Sequence, residues 1–150
     1  MSRPAAVAFV LWAITIAFGA YLFVHGLTVA GRDGRQTVLV TSAERDQVLQ
    51  EMRDLLQATG DITAAIAKAD MAAVARAALK VGTAAMAGDS PDLLARLPLG
   101  LKTEGLRVHQ GFDAIAAAAQ KGTTPAVLTA MLGDQISVCV GCHALYRFGE

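Results

Sequence analysis

The chain is poor in several things that would narrow its chemistry. Its 150 residues include only two cysteines, four prolines and 5% aromatic residues. Two thiols are too few for the disulfide framework that staples small secreted domains. A structural zinc site needs about four ligands, and no second C-x-x-C or paired histidines are present to complete one. Lys and Arg number 13 against 13 for Asp and Glu, with no polybasic block and no interleaving of basic and aromatic residues, so no nucleic-acid partner is expected. The chain has no carboxylate pair beside a nucleophile, no triad and no phosphate-cradling loop, and does not read as an enzyme. No segment shows the period-two alternation of a strand.

Apolar residues are abundant instead. They make up 54% of the chain, with a mean hydropathy of +0.44, more than a soluble domain of this length needs. Ala5 to Val24 is an uncharged run of 20 residues, enough to cross a bilayer core as a helix. A cleavable secretory signal has an apolar core of only about 7–15 residues, so the length favours a retained anchor, although Thr28-Val29-Ala30 would serve as a small-residue cleavage site. Residues 1–30 are therefore expected to be a transmembrane signal anchor in contact with the lipid bilayer through residues 5–24. Residues 31–40, rich in Gly and Arg, are expected to be a linker. Both readings export residues 31–150. His25, at the outer end of the span, reads as an interfacial histidine.

Near the other end stands Cys139-Val140-Gly141-Cys142-His143, which uses both cysteines of the chain. C-x-x-C-H is the attachment signature of c-type haem: two thiols add to the two porphyrin vinyl groups, and the adjacent imidazole binds the iron. On a helix, positions i, i+3 and i+4 share a face, so Cys139, Cys142 and His143 would present one surface. A redox C-x-x-C normally opens a helix after a strand, whereas this one lies late in a helical pattern. A simple disulfide leaves His143 unexplained. The expected cofactor is one covalent haem c. Because c-type cytochromes as a class mature on the outer face of the bacterial inner membrane, the expected location is that membrane, single-pass, with the cytochrome domain on the periplasmic side.

From residue 41 the pattern is helical. Thr41 or Ser42 can cap a first helix running to about Lys68, with Val48, Leu49, Met52, Leu55, Leu56, Ile62 and Ile66 spaced by threes and fours. Asp70 can cap an alanine-rich second helix, about 71–87, ended by Gly88-Asp89-Ser90-Pro91. An apolar loop, about 88–102, leads to a third helix, about 103–121, with Leu106, His109, Phe112, Ile115, Ala116 and Ala119 on one face. Thr124-Pro125 opens the fourth, about 125–148, whose apolar face reads Leu128, Leu132, Ile136, Cys139, Cys142, His143 and Tyr146. Residues 41–150 are thus expected to form an all-α, antiparallel up-and-down four-helix bundle with C-terminal haem attachment, preceded by one transmembrane helix. In such a bundle the start of the first helix lies beside the end of the last. That brings Leu49, Met52 and His109 to the level of His143, at the membrane-proximal end.

Small cytochromes c whose motif is N-terminal take a methionine ligand tens of residues later; only seven residues follow His143, none of them Met. The chain instead resembles the cytochrome c′ (class II c-type cytochrome) family over about residues 41–150. That family's motif commonly continues C-H-x-x-Tyr/Phe-Arg, as Cys142-His143-Ala144-Leu145-Tyr146-Arg147 does here. Its first helix often carries Arg-x-x-x-Leu/Met-x-x-Met, matched by Arg45, Leu49 and Met52. The transmembrane segment is a departure from the many soluble members. The resemblance implies that the residue four after Arg45, here Leu49, faces the iron, which would leave it five-coordinate and open to NO or CO. A small shift in register brings Met52 there instead, for a six-coordinate electron-transfer haem, and His109 is a third candidate. Arg45, Arg147 and Arg107 can pair with the propionates.

The function expected is single-electron transfer at the periplasmic membrane surface by a membrane-anchored c-type cytochrome. The alternatives are a five-coordinate protein binding NO or CO, and an accessory haem subunit of a membrane redox complex. Expected partners are a membrane-bound redox complex or a periplasmic electron carrier, with homodimer formation left open.

Overall fold

The computed structural model describes residues 2–88 and 90–149 and is mostly helical. Asp89, part of the expected break after the helix expected at 71–87, lies outside the described residues. An N-terminal apolar helix, α1 (Arg3–His25), has no buried residue and projects from the body; at 1.5 Å per residue its length is about 35 Å. Two short strands follow, β1 (Thr28–Ala30) and β2 (Gln36–Leu39). Then come α2 (Ser42–Ala67), α3 (Met71–Leu79), a 3₁₀ segment (Thr83–Gly88), α4 (Pro91–Arg96), α5 (Leu99–Gln120), α6 (Pro125–Leu145) and β3 (Tyr146–Gly149).

Local chemistry accounts for the helix starts. Thr41 accepts from the Glu44 backbone N–H, while the Glu44 carboxylate accepts from the Thr41 N–H at 2.7 Å, a reciprocal capping box. The Asp70 carboxylate caps α3 at Ala73 N, 2.9 Å, and Pro91 and Pro125 occupy first-turn positions that lack a partner for a backbone N–H anyway. Gly60 does not interrupt α2.

α3 packs against both α2 and α5, α6 packs against α5, and α2 touches α6 less extensively. Between them lies the main core, in which Ile62, Val74, Phe112, Ile115 and Leu128 are almost fully enclosed among alanines. One polar side chain enters it. Gln135 of α6 is buried and donates to the Val108 carbonyl at 2.8 Å. A Cβ at Gly111 would collide with the Gln135 amide, so glycine at 111 admits this cross-link between α5 and α6. A second, smaller cluster gathers Val38, Val40, Val48, Leu93 and Leu101 at the other end.

Several expectations are corrected. The chain does contain strands: β1 pairs antiparallel with β2, and β2 pairs parallel with β3 in the register Gln36–Tyr146 to Leu39–Gly149. The stretch expected as a linker at 31–40 therefore carries a sheet strand, and residues 28–30 of the expected anchor segment belong to the same sheet. The last helix stops at Leu145 rather than 148, because the backbone of Tyr146–Gly149 takes its hydrogen bonds from β2. α3 stops at Leu79 rather than 87. There the Asp113 carboxylate accepts from the Thr83 N–H at 3.0 Å and from its hydroxyl at 2.6 Å, and the chain turns into the 3₁₀ segment. The apolar loop at 88–102 contains α4, and α5 begins at Leu99, four residues before the expected start at 103. Leu56, Leu106 and Ile136, expected to face inward, are exposed; on α5 and α6 it is Val108 and Gln135 that take the inward positions.

Candidate functional site

The site is assembled at the end of the body that carries α1. α6 brings Cys139 and Cys142, both with free thiols and both half-buried, to this end, with His143 exposed on the last turn. Cys142 packs against the smaller cluster, and so do Met52 from α2, Leu97, Tyr146 and Phe148. Burial pushes both thiols above their ordinary pKa; for Cys142 the neighbouring Glu104 carboxylate and Cys139 add to the effect. These are apolar surroundings for neutral thiols, not the electropositive setting of an activated nucleophile.

Beside Cys142 the seam between α5 and α6 opens into a cleft of about 550 Å³, bounded by Glu104, Arg107, Asp134, Val138, Gly141 and Tyr146, among others. Its size is within the range of cofactor pockets, roughly 300–1,000 Å³. A smaller cleft of about 360 Å³ continues along the same seam and shares Arg107, Asp134 and Val138. On the α5 side Gly100 admits the Tyr146 hydroxyl, which lies 2.8 Å from where a Cβ would stand.

The sheet ties the α6 end down. Arg147 donates from Nε to Thr37 Oγ1 at 2.8 Å and lies 3.6 Å from Asp33. Asp33 also pairs with Arg35 at 2.7 Å, and the Arg35 hydrogen bonds hold the Asp33 carboxyl below its ordinary pKa. Arg35 reaches on to the His143 carbonyl at 3.4 Å, near the C-terminus of α6, where a cation complements the helix dipole.

The expected site residues therefore part company. Cys142, Met52 and Tyr146 share one cluster. Tyr146 and Arg147 are on a strand, not on the last helix as expected. Val48, not its neighbour Leu49, is the buried residue of that turn, and Leu49 is half-buried. Arg45 is exposed on α2, and Arg107 is exposed with Glu104 at 3.8 Å. His109 sits elsewhere: its Nδ1 is 2.8 Å from the Val81 carbonyl, and its neighbours Val108 and Phe112 belong to the main core. Sequence reasoning passed over Arg35 and Glu104. Arg35 carried a faint signal, as a basic residue in the segment leading into α2. Glu104 carried none, because its proximity to Cys142 depends on how α5 and α6 are aligned.

The donor set fits covalent haem attachment. Two thiols lie one helical turn apart with an imidazole directly after the second; Cys142 lines the cleft, whereas Cys139 and His143 are not among its lining residues. Comparisons of the chain with models of protein families, with curated proteins and with solved structures found no match.

Proposed function

We propose that the chain is a membrane-anchored c-type cytochrome of the cytochrome c′ kind, a four-helix bundle of α2, α3, α5 and α6 with one covalent haem. It transfers single electrons at the periplasmic surface of the bacterial inner membrane. The observation that carries this reading is Cys139-Val140-Gly141-Cys142-His143 on the last turns of α6, beside a cofactor-sized cleft. Cys139 and Cys142 are the thioether anchors and His143 the proximal imidazole. When bound, haem supplies a reversible one-electron change at its iron, with a potential set by axial ligand and burial.

The residues around it have distinct duties. Met52 is the residue we would assign as a second ligand, because it packs on the same cluster as Cys142, whereas His109 is engaged with Val81. Leu97, Leu101 and Phe148 pack in or on that same cluster and would keep water from it. Arg35 and Arg147 place cationic charge beside the motif. Electron transfer suits the architecture, since α1 confines the body to the membrane surface and raises the effective concentration of a membrane-bound redox partner.

The test is expression with a c-type maturation system, followed by haem staining of the denatured chain and absorption spectroscopy. Wild type should retain haem on the gel and give a low-spin ferric spectrum. Cys139→Ala with Cys142→Ala should lose the stain. Met52→Ala should convert low spin to high spin and admit carbon monoxide, while His109→Ala should leave the spectrum unchanged. A wild-type chain that never stains for haem sinks the reading. A wild-type haem that is high-spin and binds carbon monoxide directly removes Met52 and turns the function towards gas binding over Leu49.

A further inference from the structure

The C-terminal end of α1 meets the body closely. At Gly26 (φ 62°) a Cβ would strike the backbone of Arg96, Leu97 and Pro98, so this junction between α1 and the α4–α5 corner requires glycine. The Leu27 N–H donates to the Arg96 carbonyl at 2.7 Å, and the Leu39 N–H donates to the Leu27 carbonyl at 2.8 Å. The chain thus passes from α1 into the sheet without a free linker, and both contacts belong to the folded body.

This docking sets the depth of the corner relative to the apolar run. The Lys102 ammonium, on the first turns of α5, lies 4.7 Å from the centre of the Phe23 ring. Phe23 is the next-to-last residue of the uncharged run 5–24. A lysine at that level keeps its charge among phosphates while its stem lies along apolar surface. On the same corner three leucines are left partly uncovered: Leu27 at 39%, Leu94 at 37% and Leu99 at 38% exposure.

We propose that this corner, formed by α4 and the first turn of α5, lies in the headgroup layer of the bilayer that α1 spans, with Leu94 and Leu99 against phospholipid and Lys102 at its phosphates. The proposal rests on the reading of α1 as a membrane span, and the patch is continuous with that span at Gly26–Leu27. It goes beyond a tether. A rigid corner seated in the lipid holds the body in one orientation, with the end that carries Cys142 towards the membrane.

The test uses the full-length protein in nanodiscs of phosphatidylethanolamine and phosphatidylglycerol. A photoreactive p-benzoylphenylalanine replaces Phe18, Leu94, Leu99 or Val127 in turn, and lipid adducts are read by mass spectrometry after irradiation. Val127, 49% exposed at the opposite end of α6, is the control. Adducts are expected at Phe18, Leu94 and Leu99 and not at Val127, and Lys102→Glu should lower the yield at Leu99 severalfold. Where a variant melts early by circular dichroism, Leu27 is the substitute position. Adducts at Phe18 without any at Leu94 and Leu99 overturn the corner and leave the span standing. Equal yields at Leu99 and Val127 also overturn it, because the body then has no preferred orientation. No adduct at Phe18 overturns the span and the corner together.

Discussion

The two hydrophobic clusters of the body are built to different standards. The main core encloses Ile62, Phe112, Ile115 and Leu128 almost fully, uses alanine to bring α2, α3, α5 and α6 close, and satisfies the buried Gln135 amide through Val108, with a smaller cleft along its α5–α6 side. The smaller cluster is ringed by side chains that stay partly open, Met52, Leu97, Cys142, Tyr146 and Phe148, and a cleft of about 550 Å³ runs beside it. The first arrangement maximises burial and dispersion contact. The second leaves apolar surface and room uncommitted, and is held in place by strand pairing and by Arg35 and Arg147. Helix packing secures one end of the molecule, and strand pairing with arginine contacts secures the other.

The contrast is broken most severely at Phe112. Phe112→Ala should cost about 3–5 kcal/mol, a large share of the roughly 5–15 kcal/mol that holds an ordinary domain together, and should lower the midpoint of denaturant unfolding for the whole body. Equal denaturant midpoints for variant and parent would show that the main core is not where the fold is secured.

Leu101→Ala probes the other end and should have a smaller, local effect. The surrounding side chains are incompletely packed and can relax, so about 2 kcal/mol is expected, at the low end for a buried leucine. Hydrogen exchange should quicken in β2, β3 and the last turn of α6 while α3 and the middle of α5 stay protected. A uniform loss of protection along the chain would merge the two clusters into one cooperative unit.

The smallest effect concerns pH. The Thr83 hydroxyl and N–H hold Asp113 below the ordinary carboxylate pKa. A depressed folded-state pKa contributes stability above the unfolded value and loses it as pH falls through the folded one. Asp113→Ala should therefore remove no more than about 1.5 kcal/mol near neutral pH and make the remaining stability fall less steeply below the ordinary carboxylate range. A variant whose stability tracks that of the parent in parallel through this acid range would assign the acid sensitivity elsewhere, with Glu44, lowered chiefly by the Thr41 N–H, next in line.

How much of this could be read from residues alone follows from the range of each interaction. The starts of α2 and α3 were legible at Thr41 and Asp70, because a cap bonds to a backbone group two or three residues away, and that of α6 at Pro125, because proline suits the first turn. Phe112, Ile115, Ala116 and Ala119 were legible as core by their helical spacing. The strands were not: Thr37 and Arg147 lie 110 residues apart and acquire strand geometry only when the ends of the chain meet. Nor was the inward turn of Gln135, since helical phase depends on the faces that α5 and α6 offer.

By itself the sequence determined what covalent spacing and helical pitch can specify: an apolar N-terminal helix, a mostly helical body, and two thiols and an imidazole grouped within one turn and a residue of α6. Tertiary structure alone decided which residues face that group. It set Met52 rather than His109 on the cluster that receives Cys142, sent Arg35 to the His143 carbonyl, and fused α1 to the α4–α5 corner through Gly26. The physical reason is that spacing along one helix is fixed by its own hydrogen bonds, whereas neighbours across a body depend on how every element packs at once.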